Sequence, residues 1–163
     1  MTRIRLIIIF SLFSTLLFGQ ENFKKNNLFL EIGGNGLFTS INYERQLTKN
    51  PGLGLRLGIG YYKRNPFNLT IPMGVDYLLN IYKNKTFLDL GLGITYTKAD
   101  VKLYVMVDYK DPNYVNENYL NIIPSLGFRF HTEKNIMWRI SLTPVINHIG
   151  FIPFLGLSIG KLF

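Results

Sequence analysis

The sequence predicts an all-β fold: an eight-stranded antiparallel up-and-down transmembrane β-barrel, preceded by a cleavable signal peptide. Three observations lead there. Two-residue alternation of apolar with small or polar residues runs through most of the chain after residue 20. A basic and then apolar N-terminal segment has the layout of an export signal. The connections between alternating segments are short on one side and longer on the other, as in membrane barrels.

Composition agrees. Of 163 residues, 47% are apolar and 17% charged, well under the roughly one quarter charged in soluble domains. That balance suits a tight β domain or a chain whose exterior meets lipid. With no cysteine, disulfides, thiolate metal sites and cysteine nucleophiles are excluded. The formal charge of +8 fits nucleic acid or anionic lipid head groups equally, but the basic residues are scattered rather than clustered. Charge alone does not choose between them; it is the membrane fold that makes lipid an expected partner and nucleic acid not.

The export signal comes first. Arg3 and Arg5 precede an apolar stretch from Leu6 to Phe18, followed by Gly19-Gln20-Glu21. The stretch is shorter than the roughly 20 apolar residues a membrane-spanning helix needs. Residues 1–19 read as the signal peptide, with cleavage near Gly19 or Gln20, although Leu17 replaces the small residue usual two positions before the cut. A cysteine-free boundary excludes a lipoprotein anchor. Residues 20–163 form the barrel domain.

Each strand is then read from its alternation. Leu53, Leu55, Leu57, Ile59 and Tyr61 oppose Gly54, Arg56, Gly58 and Gly60. From Leu69 to Leu79, the apolar set opposes Thr70, Pro72, Gly74 and Asp76. Leu88 to Tyr96 opposes Asp89, Gly91, Gly93, Thr95 and Thr97. Leu120 to Phe130, Ile136 to Leu142 and Leu155 to Ile159 repeat the pattern. Two earlier strands, Asn27 to Ile32 and Phe38 to Gln46, flank Gly33-Gly-Asn-Gly36, which reads as a tight hairpin. A water-soluble barrel would alternate as well, with its polar face outward. Here that face is rich in glycine, which weakens a solvent-facing strand but suits a crowded narrow lumen. The Leu/Ile face therefore looks to lipid.

Aromatic residues fall into two sets. Tyr61, Tyr62, Phe67, Tyr96 and Phe151 are expected near the outer rim; Tyr43, Tyr77, Phe128, Phe130, Trp138 and Phe163 near the periplasmic rim. Thr48 to Gly52, Ile81 to Thr86 and His131 to Asn135 read as periplasmic turns, and Lys98 to Asn118 as the long extracellular loop. With these parts in place, the chain resembles the small outer-membrane β-barrel proteins of Bacteroidota, and in size and plan the OmpX-like barrels. The residues that carry the resemblance are Phe18-Gly19-Gln20, the run Gly33-Gly-Asn-Gly36 leading into Ser40-Ile-Asn-Tyr-Glu-Arg45, and the terminal strand ending in Phe163. The resemblance implies a bacterial outer-membrane location, and it implies that Phe163 is the terminal aromatic read by the assembly machinery. It brings no active site with it.

Three constellations are candidates for chemistry. Glu31, Glu44, Arg56, Asp76, Asp89, Arg129 and Arg139 all have lumen-facing parity and are expected to pair near the periplasmic end, beneath an outer half lined by Gly, Ser and Thr. His131 and His148 fall at opposite ends, so they cannot share a metal. Asn147-His148-Ile149-Gly150 lacks the serine and acid of a hydrolytic site. In the long loop, Val101, Leu103, Val105, Val107 and Tyr109 alternate with Lys102, Tyr104, Met106, Asp108 and Lys110, and a turn at Asp111-Pro112-Asn113 leads to a return from Tyr114. Its apolar phase switches relative to the barrel strands, as when strands leave the bilayer or a bulge intervenes; it reads as a protruding hairpin or as an edge for β-augmentation, with Val101, Leu103, Tyr104, Val105, Tyr109 and Tyr114 as candidate surface contacts.

The expected function is therefore a structural or surface-interaction barrel with a closed lumen, no cofactor and no catalytic or metal site. Expected partners are outer-membrane lipid and lipopolysaccharide, the assembly machinery and an extracellular protein. A lipid A or phospholipid-modifying enzyme is the alternative, and a small pore the third reading.

Overall fold

The computed structural model describes residues 23–62, 68–97, 120–147 and 150–163. The expected signal peptide, Phe67, His148 and the long loop with Val101, Leu103, Tyr104, Val105, Tyr109 and Tyr114 lie outside the described residues.

Alternation with a period of two can bury one face only if the chain is extended, and the described residues form ten β-segments accordingly. They are β1 (Asn26–Gly33), β2 (Thr39–Gln46), β3 (Leu53–Tyr62), β4 (Asn68–Tyr82), β5 (Thr86–Thr97), β6 (Leu120–His131), β7 (Ile136–Leu142), β8 (Val145–Asn147), β9 (Gly150–Ile152) and β10 (Leu155–Leu162). Consecutive segments pair antiparallel, and β1 meets β10 to close the wall. β7 with β8, and β9 with β10, are halves of single strands, interrupted at Thr143-Pro144 and at Pro153-Phe154. The wall is thus a closed eight-stranded antiparallel barrel, the fold that the alternation predicts.

Parity sorts the side chains. Leu57 is 58% exposed and Ile59 57%, whereas Arg56 between neighbouring outward residues is 3% exposed. Leu28, Leu30, Ile41, Leu92, Ile140 and Leu157 continue this apolar exterior around the wall. Soluble monomers rarely expose apolar patches beyond a few hundred Å², so a belt that encircles the molecule is a surface built for hydrocarbon.

The end bearing Asn26 and Phe163, called here the terminal end, also bears the short turns. Tyr43, Tyr77, Phe128, Phe130, Trp138 and Phe163 all point outward near it, joined by Tyr82. Phe163 helps close the seam: its N–H donates to the Asn26 carbonyl (2.9 Å), and the Asn26 N–H donates to the Phe163 carbonyl (3.2 Å). At the opposite, loop end, Phe38 and Phe151 are exposed and Tyr61 packs on Phe38, with ring centroids 5.2 Å apart. Tyr62 departs from the expected outer girdle. It follows Gly58 and Gly60 on the inward parity of β3, and it packs against an internal apolar cluster.

The run Gly33-Gly-Asn-Gly36 also departs from expectation. It does not arch over the rim as a tight hairpin. Positive φ at Gly33 (71°), Gly34 (64°) and Leu37 (71°) turns the chain into the lumen, where Gly34–Gly36 forms a buried 3-10 turn. Asn35 at its tip has no exposed surface. A Cβ at Gly93 would collide with the Asn35 amide, so part of the glycine face exists to admit this turn.

Gly33→Ala tests the tuck. Its φ of 71° and ψ of −145° suit glycine alone, and the new Cβ would overlap the Leu155 backbone carbonyl. The expected outcome is a loss of about 3 kcal/mol, the upper end for backbone strain, measured by urea unfolding of the refolded barrel in detergent.

Candidate functional site

Each of β1 to β7 delivers one charged side chain to the lumen: Glu31, Glu44, Arg56, Asp76, Asp89, Arg129 and Arg139 in strand order. All seven are at most 3% exposed. Unpaired, each would cost several kcal/mol in so low a dielectric.

The structure brings all seven together. Arg129 is the tightest member: its Nη1 lies 2.6 Å from Glu44 Oε1, its Nη2 lies 2.7 Å from Asp89 Oδ2, and its Nε donates to the same Asp89 oxygen at 2.8 Å. Charged hydrogen bonds of this length are about twice as strong as neutral ones. Arg139 lies 3.6 Å from Asp89 and 3.8 Å from both Glu31 and Asp76. Arg56 lies 3.4 Å from Asp76 and 3.7 Å from Glu31. These longer contacts hold Arg56 and Arg139 by charge rather than by directed bonds. Every carboxylate in the set is thereby within ion-pair distance of an arginine. Gln46 also donates to Glu44 (2.8 Å).

Most of the set lies within three residues of the terminal ends of its strands, one inward layer in from the end itself. Below it, the terminal end is filled by apolar groups. Phe29, Met137 and Leu162 form one buried cluster, with Leu78 and Phe87 buried on the adjoining strands. Phe23, just before β1, stacks on His131 at 6.0 Å, and His131 meets Phe87 at 4.7 Å. His131 is therefore the last residue of β6 in an aromatic cap, not the start of an exposed turn.

Above the network sits the tucked turn. Gly36 N–H donates to Glu31 (3.3 Å), Thr70 donates to the Gly36 carbonyl (3.2 Å) and Thr95 donates to the Asn35 carbonyl (2.5 Å). The outer half of the lumen thus mixes the expected Gly, Ser and Thr with a second apolar cluster, Leu37, Ile123, Val145 and Ile152. Sequence reasoning missed the turn and both caps. The one signal available was a glycine run set against inward Gly93 and Gly156, where a Cβ would meet Asn35 and Gly34 respectively.

Outside the strands, Lys85 donates to Glu133 (2.8 Å), linking two turns at the terminal end. That hydrogen bond raises the Lys85 pKa and lowers that of Glu133 from their ordinary values. Among the described residues, no group of three or more His, Asp or Glu is arranged to hold a metal ion.

No protein-family model matches the chain, and no curated protein matches it. Solved structures do. A designed transmembrane β-barrel superposes with a TM-score of 0.54 at 11% identity, over 89% of this chain and all of that one (100%). The Yersinia pestis outer membrane protein Ail, in a phospholipid bilayer nanodisc, superposes with a TM-score of 0.51 at 10% identity, over 86% of this chain and 99% of that one. At such identities the likeness is one of fold.

Arg129→Ala is expected to lower unfolding stability by about 3–5 kcal/mol, since Glu44 and Asp89 lose their closest countercharge. Lys85→Ala, which breaks only a solvent-exposed pair, should change it little. Urea titrations of both variants, followed by heat-modifiable gel mobility, compare the two.

Proposed function

We propose that this chain is an integral outer-membrane barrel with a structural or surface-interaction role, exported by its signal peptide and closed to solute along its axis. One observation carries this reading: an apolar belt surrounds a lumen filled from end to end by an aromatic cap, an ion-pair network and an inserted turn. The belt suits lipid and lipopolysaccharide as surroundings, and the filled interior leaves the loop end as the surface for an extracellular protein partner. Val101, Leu103, Tyr104, Val105, Tyr109 and Tyr114 are its proposed contacts. The sequence resemblance to OmpX-like barrels of Bacteroidota supports the same plan.

The small-pore reading loses support because the charges are bound to one another across the lumen. The lipid-modifying enzyme loses support because the inward carboxylates are engaged by arginines, and the segment around His148 has neither a serine two residues on nor an acid.

Cell fractionation with heat-modifiable mobility should place the protein in the outer membrane, and planar-bilayer recordings of the refolded barrel should show no steady conductance. Large, stable channels would overturn the closed lumen.

Phe163 is proposed as the residue that the assembly machinery reads. Deleting it should sharply lower membrane yield and raise periplasmic degradation, while refolding in detergent stays efficient. As a girdle residue alone it would contribute at most about 2 kcal/mol of apolar burial. Normal membrane yield with merely easier urea unfolding would show that packing is its whole role.

A further inference from the structure

The charges on the outside of the wall gather at one end. The turn between β2 and β3 carries Lys49, that between β4 and β5 carries Lys83 and Lys85, and that between β6 and β7 carries Lys134. Lys24 and Lys25 lie just before β1, while Arg45 and Lys161 stand on the outward parity of β2 and β10 near the same end. Followed from β10 through β1 to β7, these cations circle the barrel. Glu133 is the one exposed acid among the described residues, and Lys85 holds it at 2.8 Å. At the loop end no described residue is charged, and the β3–β4 and β5–β6 connections hold basic and acidic residues in near balance.

Register sets the height of this ring. Arg45 pairs with Asn26, and Phe163 bonds to the same Asn26, so Arg45 stands level with the last aromatic of the girdle. Lys161 pairs with Leu28, which pairs in turn with Tyr43, so its stem starts one step further into the belt. Its Nζ reaches back out to donate to the Lys134 carbonyl at 2.8 Å. An apolar stem laid on the belt with the ammonium at its rim is the posture of a lysine at a lipid–water boundary. Lys83 keeps the same level, 5.2 Å from the centroid of the Tyr82 ring.

The layout selects the partner. The face inside the ring is capped by Phe23, Phe87 and His131, so an acidic polymer laid across it would meet few of the cations. A lipid leaflet instead presents its phosphates as a circle around the rim of the belt, within the short range over which surface charges attract. On β1 and β2 the acids Glu31 and Glu44 are turned inward onto arginines and do not compete. A free carboxylate on Phe163 would offset only one of the ring's charges.

We propose that this basic ring binds the phosphate head groups of anionic phospholipids in the leaflet around the terminal end, with Arg45 and Lys161 as its anchors. This rests on the membrane placement proposed above. Exposed Tyr43 and Phe163, with ring centroids 6.4 Å apart, receive the start of the acyl chains beside the Arg45 fork, which suits a phosphate.

The test refolds the full barrel into phosphatidylcholine vesicles doped with phosphatidylglycerol or phosphatidylcholine that carries a diazirine at the head-group end of one acyl chain. Irradiation and mass spectrometry then map the cross-linked residues. Tyr43 and Phe163 are expected to take more label from phosphatidylglycerol than from phosphatidylcholine, and high salt should erase the difference. Arg45→Gln should lower that preference about fivefold, the factor one cation near an anionic surface is worth, whereas Arg45→Lys should keep most of it. Should Arg45→Gln fail to refold, Lys161→Gln with Lys134→Gln is read the same way. Equal labelling by the two lipids would overturn the ring as a site while leaving the membrane placement intact. A preference as strong at Phe38 and Phe151 of the loop end, or one that survives the glutamine variants, would overturn it as well. Co-sedimentation with isolated peptidoglycan that the variants abolish, without any lipid preference, would assign the ring to that polymer instead. Absence of label from either lipid at both rims would overturn the membrane placement and the ring with it.

Discussion

Seven charges sealed inside a narrow barrel are tolerable only when they neutralise one another, and the rest of this structure follows from that pairing. Arg129 clamps Glu44 and Asp89 by short bonds, and Arg56 and Arg139 connect the remaining carboxylates into the same set. Because each member comes from a different strand, the network acts as a hub holding seven strands at fixed distances. Its upper surface also anchors the inserted turn, through the Gly36 N–H on Glu31. Water is then kept out by apolar layers on both sides, which strengthens every ion pair between them. The arrangement is self-consistent: the caps make the charges strong, and the charges give the caps a fixed frame.

Much of the wall was legible from the sequence because a period of two has few interpretations. Leu55 and Leu57 beside Arg56 announce their faces unaided, and parity alone put all seven charges in the lumen. The sealing of the charges was not legible. It depends on which inward residues the stagger between strands brings level, which alternation does not encode, and so the apolar layer of Phe29, Met137 and Leu162 on the terminal side of the network was not foreseen. The tucked turn was hidden for a related reason. Glycines at 33, 34 and 36 permit positive φ in a surface hairpin and in an inward fold alike. Only the room left by Gly93, where a Cβ would run into Asn35, distinguishes the two.

Proline placement shows how local chemistry and register combine. Pro124, Pro144 and Pro153 lie far enough apart in sequence that each reads as an isolated strand-breaker. Brought side by side by the β6–β8 and β8–β9 pairings, they thin the wall along one line, while the seam between β5 and β6 keeps a continuous ladder. Stiffness is therefore distributed unevenly around the circumference.

The one-charge-per-strand layout has a consequence for how such a barrel can change over generations. A barrel's diameter grows with its strand number, so a hairpin duplicated into the sheet would widen it. Here a wider perimeter would draw Arg129 away from Glu44 and Asp89, and it would strand the inserted turn in a space too large for it. Duplication would have to be accompanied at once by rewriting of the interior on several strands. The hub thus sets a size from which the chain has no easy exit, whereas outward residues can exchange among similar apolar types without disturbing the centre.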